Sequence, residues 1–488
     1  MFCPREKRKE ETAPAQEKGW VCMAKMLIAI LYIVAILLIG IFAGRKVKTA
    51  DDFATANRDI PFWTNVFSMS SAWIGAGSTL GCASMCYAYG ISGFYLAIAV
   101  GVGAVISSLV FAKKIRAENV STIPELIRKH LGAKCANCIA LLSIFAVFSI
   151  VASQIRSLGT ILIMFVPSLN LLTAMVIMTA VMLVYTVLGG MAAATKTDKL
   201  NIGLMVLSVL IILPILSIIK TGGVANMMAT IKAADAQKVQ IGGLLPVVTM
   251  FSSMFFYCTN SLMNSENFLR ICGARSAEEA RGASLTASLM IYFPYLLFAS
   301  FVGLAGCALI PNLGTSDSIL PAMVDQLAGP VLGAVLLAAL LAAVMGTAGS
   351  VTMLTSVTIS RDVIGRFVKM DDKKLLATQR VCMILVAALG IVVGYFGSSI
   401  VAIMEDVSAP SNAALVPIFC GLFFWRKKMN STGTLITIAV AVVSTLGYWA
   451  LGSPLGISHF VFGLICSTIT MFAANLICYK PSEAPVQQ

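Results

Sequence analysis

Residues 70–81 read Ser70-Ser71-Ala72-Trp73-Ile74-Gly75-Ala76-Gly77-Ser78-Thr79-Leu80-Gly81, glycines and hydroxyls set inside an apolar run. An interior glycine costs a helix about 1 kcal/mol against alanine, so helix is locally weak here. Unwound backbone offers carbonyl oxygens, which ligate a hard cation such as Na+, and amide N–H groups, which suit a substrate carboxylate. The same residues also fit a small-residue packing face, because Gly77 and Gly81 stand four apart. A second apolar run, Met254-Phe255-Phe256-Tyr257-Cys258-Thr259-Asn260-Ser261-Leu262-Met263-Asn264-Ser265-Glu266, is interrupted by polar groups in the same relative place. Paired interruptions point to a binding site at membrane mid-depth. At 343–350, Ala343-Val344-Met345-Gly346-Thr347-Ala348-Gly349-Ser350 sets two hydroxyls three apart on one helical face. They complete a cation cage or simply bond the preceding turn.

Arg156, in Ser153-Gln154-Ile155-Arg156-Ser157, is the basic residue that neither loops nor tails account for. A charge at membrane depth is expensive and needs a partner. Asp198 or Glu405 would make it structural; a solute carboxylate held bidentately would make it a binding residue. Asp198 opens a helix, where a carboxylate is also an ordinary cap.

The elements that must position these residues follow from composition. Of 488 residues, 58% are apolar and 12% charged, against about 25% charged in an average soluble domain. A crossing takes about 20 apolar residues, so thirteen crossings leave no room for a cytosolic catalytic domain. With only two histidines, His130 and His459, no histidine-rich metal site can be built. No nucleophile, base and orienting group come together, so an enzyme is not expected. Cys135 and Cys138 form a C-x-x-C with no second pair to complete a zinc site, and the 13 cysteines read as buried hydrophobes.

Thirteen candidate helices occupy about 26–43, 62–86, 92–112, 136–165, 171–188, 201–219, 244–264, 284–310, 329–358, 381–396, 399–424, 434–451 and 457–478. Alternate loops between them collect 25 of the 35 basic residues, whereas the opposite loops hold only Lys220, Lys232 and Lys238. This is the positive-inside bias, and it places the amino terminus outside and the carboxyl terminus in the cytoplasm. The net charge of +13 is therefore topology rather than nucleic-acid binding. Six basic groups in the first 25 residues run against it, and because Met23 heads the first apolar run, 1–22 reads as a separate polar tail. The predicted organisation is one helix at 23–44, five-helix blocks at 62–219 and 244–424, two helices at 431–478 and a tail at 479–488. An odd number of helices per block inverts the second relative to the first.

At these residues the chain resembles the sodium:solute symporter family. The likeness spans about 50–435 and rests on Asp52-Phe53…Ala56-Asn57-Arg58, Tyr185-Thr186…Gly189-Gly190 leading to Thr197-Asp198, Phe268-Leu269-Arg270…Ala274-Arg275…Glu279-Ala280-Arg281, Ser360-Arg361-Asp362, and Pro417…Gly421-Leu422-Phe423-Phe424-Trp425-Arg426…Gly433. The resemblance implies an all-α integral membrane protein of the leucine-transporter type, with two inverted five-helix repeats and alternating access in the plasma membrane. It implies Na+ as coupling ion and no other cofactor.

The likeness puts one Na+ against the backbone oxygens of Ser71, Ile74 and Ala343 and side-chain oxygens at 346 and 347. Thr347 fits, whereas Gly346 lacks the usual hydroxyl. A second cation would use Asp198 and Ser350, but Gly349 lacks a hydroxyl and Asn201 stands where glutamine is usual. Substrate contacts carry over to Trp73, Gly75, Ser78, Tyr257 and Asn260, with Trp73 also readable as a packing aromatic. If Arg156 joins them, the solute bears a carboxylate. The alternatives are a proton-coupled or ion-independent transporter of the same fold, motivated by Gly346 and Gly349, and a transporter-like solute sensor, against which stand the ten residues from Tyr479 to Gln488.

Overall fold

The computed structural model describes residues 60–478, except positions 121, 366, 367, 369 and 455 and the side chains of 188–200, 361 and 362, together with scattered positions between 27 and 38. Most of the candidate helix at 26–43 lies outside the described residues. Among those residues the protein is helical, with one isolated bridge between Ile60 and Ala274. Nine helices there are long and apolar enough to cross a membrane.

The chain begins with α1 (Phe62–Trp73), which stops at Ile74 (φ −85°, ψ 101°) and resumes through a wide turn at Gly77–Gly81 into α2 (Cys82–Tyr89). After a tight turn come α3 (Tyr95–Ile106) and its continuation α4 (Ala112–Ala117). Next is α5 (Ile123–Phe165), bent at Gly132, whose φ of +86° only glycine adopts readily. It starts well before the predicted residue 136. Thr122 Oγ1 accepts from Glu125 N at 3.2 Å and Pro124 sits in the first turn, a start signal carried by polar residues that a search for apolar runs passes over.

The helix α6 (Leu171–Met205) carries past the expected loop, and that boundary falls within 188–200, whose side chains lie outside the described set. It leads into α7 (Leu213–Thr221) and α8 (Val224–Ala234). The second discontinuous helix follows as α9 (Val247–Leu262) and α10 (Ser265–Gly273). Then come α11 (Ala277–Thr286), α12 (Phe293–Leu309), α13 (Ile319–Leu327) and α14 (Pro330–Val357). The order closes with α15 (Asp372–Phe396), α16 (Ile400–Phe424), α17 (Ser431–Ala450) and α18 (His459–Ile477).

Burial sorts these helices by role. In α14, 83% of the apolar window is buried, because its Gly and Ala residues let α5, α6, α1 and α15 approach on every side. By contrast, α15, α17 and α18 bury only 33–39% and present Leu389, Phe396, Val443 and Ile469 outward, as a lipid-facing surface requires. Both discontinuous helices lie against α14 or its neighbours: α1 packs on α14 and α6, α9 on α3 and α16, and α10 on α1.

Candidate functional site

The first break is held open by its own side chains. Gly75 N, the amide that would close the turn on Ser71 O, donates instead to Ser78 Oγ at 2.7 Å, and Ser78 Oγ lies 3.0 Å from both Trp73 O and Gly75 O. Ala76 N donates to Gln154 Oε1 at 2.9 Å, reaching across to α5. A Cβ at Gly75 would lie 2.3 Å from Gln154 Nε2, so only glycine lets that amide side chain lie over the unwound peptide.

Facing the break, Thr347 Oγ1 on α14 is 2.9 Å from Ile74 O, 3.4 Å from Ser71 O and 3.4 Å from Ala343 O. A hydroxyl has one proton to donate, so it cannot bond three carbonyls at once. Three carbonyl oxygens thus gather around one hydroxyl oxygen, an all-oxygen group of the kind a hard cation prefers. These are four of the five residues singled out from the sequence. The fifth, Gly346, brings no side chain, and its carbonyl accepts from Ser350 Oγ at 3.0 Å. Ser350 therefore bonds the preceding turn of its own helix, the bland alternative of the two weighed for it. The side chain of Asp198 lies outside the described residues.

A structural reason for Gly349 is visible next to Ser350. Tyr185 Oη donates to Met345 O at 2.6 Å, and a Cβ at Gly349 would come within 2.7 Å of that oxygen and 2.9 Å of Thr186 Oγ1. Tyrosine and threonine fill the space a hydroxyl side chain would need. Gly349→Ser is therefore expected to lower stability by about 1–3 kcal/mol through overpacking, read as a fall in the melting temperature, without adding a sodium equivalent in a binding titration.

A cavity opens beside the break, lined by Trp73, Gly75, Gly77, Ser78, Gln154, Tyr257, Asn260, Tyr292, Thr347 and Met404, among others. It brings together five of the six residues proposed for solute contact. Trp73 is buried and stacks on Tyr292, with centroids 5.1 Å apart and planes at 20°, while its Nε1 is buried with no partner. Its face packs as an aromatic; its edge is an unused donor. Tyr257 Oη donates to Val401 O at 2.9 Å, and Asn260 Oδ1 accepts from Asn412 Nδ2 at 2.9 Å, so both fasten α9 to α16. The second break lies at Met263 and Asn264, where Asn264 turns extended and caps α10 by accepting from Asn267 N at 2.9 Å.

Arg156 is the sixth, and it is not in the cavity lining. Its carboxylate partner among the described residues is Asp317, with Nε 3.2 Å from Oδ2, and its other donors reach Gly394 O, Gly397 O and Ser398 O at 2.9, 2.8 and 3.3 Å. Asp317 stands in a loop between apolar helices, a position that gives no sign of reaching membrane depth. Of the two readings open for Arg156, this pairing favours the structural one. Sequence reasoning missed Gln154 and Asn412, polar residues in apolar helices whose signal was their mere presence there.

The sequence profile of the Sodium:solute symporter family matches residues 53–440. The high-affinity proline transporter PutP of Bacillus subtilis is 23% identical over 473 residues, covering 93% of this chain and 98% of the relative. The sodium/proline symporter of Escherichia coli is 24% identical, with 93% of each chain covered, and the human sodium/myo-inositol cotransporter 2 is 22% identical, over 93% of this chain and 72% of its own. Among solved structures, a Na+-coupled sialic acid symporter in a substrate-bound outward-open state matches with a TM-score of 0.75 at 17% identity, covering 93% of this chain and 96% of that one. A nucleobase-cation-symport-1 family transporter in a closed conformation matches at 0.56 with 14% identity, covering 90% and 96%. These two show the fold. The profile, extending over most of the sequence with relatives aligned almost end to end, establishes that this chain belongs to the sodium:solute symporter family.

Proposed function

We propose that the chain binds one Na+ where α1 breaks against α14, and a small organic solute in the adjoining cavity, and carries both inward by alternating access. The observation that carries this reading is the convergence of Ser71 O, Ile74 O and Ala343 O on Thr347 Oγ1. The ion would tie the unwound peptide to α14. Because the same peptide presents Gly75 to the cavity, filling the ion site orders the wall on which the solute rests, and linkage then requires each ligand to raise the other's affinity by one factor. A single charge moving inward down 100 mV yields about 2.3 kcal/mol before any concentration ratio is counted.

The architecture that would do this is thirteen helices, with two inverted five-helix repeats at 62–219 and 244–424, an amino terminus outside and a carboxyl terminus in the cytoplasm. Two discontinuous helices, the basic-loop asymmetry and the matching fold support it. Ser78 shapes the break rather than reaching out, and Tyr257 Oη and Asn260 Oδ1 are committed to α16, while Trp73 Nε1, the Gln154 amide and Asn260 Nδ2 are among the donors that line the cavity. These donors are neutral, which fits a solute with hydrogen-bond acceptors.

Uptake into proteoliposomes tests the reading, beginning with L-proline because relatives are named for it, then other amino acids, organic acids and sugars. An inward Na+ gradient is expected to drive accumulation of a member of the panel; uptake driven equally by a proton gradient, or by no gradient, contradicts it. Gln154→Leu is expected to weaken apparent solute affinity about tenfold, the worth of one buried hydrogen bond, in the same uptake measurement.

A further inference from the structure

The seam between α9 and α16 carries a second polar cluster, clear of the cavity. Glu405, near the start of α16, is half-buried among apolar helices, and its contacts are two hydroxyls: Ser253 Oγ on α9, 3.4 and 3.3 Å from the two carboxylate oxygens, and Ser458 Oγ, the cap of α18, 3.2 Å from Oε1. Charge-assisted O–H···O bonds close to about 2.5–2.7 Å, so these three are slack. No lysine, arginine or histidine lies within ion-pair distance of Glu405 among the described residues. The titratable groups around it are Asp406 on its own helix, Tyr257 on α9, Tyr95 on α3 and His459 beside Ser458. None supplies a fixed positive charge. His459 is nine-tenths buried, and its Nε2 has no hydrogen-bond partner while facing Asp406 Oδ1 at 3.8 Å.

We propose that Glu405, Ser253 and Ser458 form a further monovalent-cation site, taking Na+. The donor set is all oxygen, as a hard cation prefers. One carboxylate with two hydroxyls carries a single negative charge, which matches a monovalent ion and falls short of the several carboxylates and carbonyls that calcium gathers. An ion there would draw Ser253 toward Glu405 and Ser458. Ser253 stands on α9 four residues before Tyr257 and seven before Asn260, so the same helix face that seals against Val401 and Asn412 also meets Glu405. Occupancy would therefore brace the cavity wall that α9 supplies, and the site would act with the one at Thr347.

This inference rests on the sodium-coupled reading above, and the test separates the two. Equilibrium binding of radioactive Na+ is measured on the full-length protein in nanodiscs without solute, for wild type, Thr347→Val, Glu405→Gln, Ser253→Ala and the Thr347→Val/Glu405→Gln double variant. At Na+ concentrations that just saturate wild type, two equivalents are expected for wild type, about one for each of the first two single variants and close to none for the double variant. Ser253→Ala, which keeps the carboxylate and changes little volume, is expected to shift one of the two midpoints about tenfold, and it serves where Glu405→Gln folds poorly. Curves for Glu405→Gln and Ser253→Ala that superimpose on wild type overturn the site while leaving the Thr347 site standing. A Glu405→Gln effect that appears only when pH is varied at fixed Na+ also overturns it, in favour of a proton. No Na+ binding by wild type overturns both.

Discussion

Thr347→Val should raise the Na+ concentration for half-maximal uptake by about 10- to 100-fold while leaving the protein folded. Valine keeps the shape and removes one oxygen from the group formed with Ser71 O, Ile74 O and Ala343 O. A polar contact to a charged partner is worth about 1.5–3 kcal/mol, and each 1.4 kcal/mol is tenfold in affinity. Thr347→Ser, which restores the hydroxyl, should stay within about threefold of wild type. Sodium titrations of uptake at fixed solute check both. If valine and serine behave alike, the side-chain oxygen does not ligate the ion.

Arg156→Gln should cost stability rather than solute affinity. The guanidinium is 11% exposed and the Asp317 side chain 6%, and Asp317 also accepts from Ser84 Oγ at 3.2 Å and Ile400 N at 3.3 Å. The pair thus joins α2, α5, the turn before α13 and the start of α16. Removing one member strands the other's charge, which costs about 3–5 kcal/mol. Asp317→Asn should do the same, and the double variant should recover part of the loss because no lone charge remains. Thermal unfolding measures the cost, and solute binding on the same samples should change by less than about threefold. A large loss of affinity with unchanged melting would return Arg156 to the binding site.

The residues of the first break were legible because the cue is local. Glycine and serine in place of leucine weaken helix where they stand, and Thr347 was found because a hydroxyl in an Ala- and Gly-rich helix stands out. The geometry adds what no spacing carries: that Gln154, from another helix, holds the Ala76 amide, and that Tyr185 occupies the room beside Gly349. The partner of Arg156 was missed for a related reason. Its need for a partner could be read from burial alone, but the partner, Asp317, lies 161 residues away in a loop and meets it only because α5 and the start of α16 frame the same pocket of carbonyls. Helix existence followed apolar run length well. Boundaries failed where polar residues begin a helix, as at Thr122, since capping rather than hydrophobicity sets that end.

The central claim is that peptide oxygens freed by the α1 break hold Na+, and it is tested most directly by the melting temperature of the purified, solute-free protein in NaCl against KCl at equal ionic strength. A ligand at a hundred times its dissociation constant adds about 2.7 kcal/mol, so Na+ should raise the melting temperature of wild type above its value in K+, and Thr347→Val should lose the share of that difference that the α1 site contributes. Identical melting of wild type in the two salts would contradict the account.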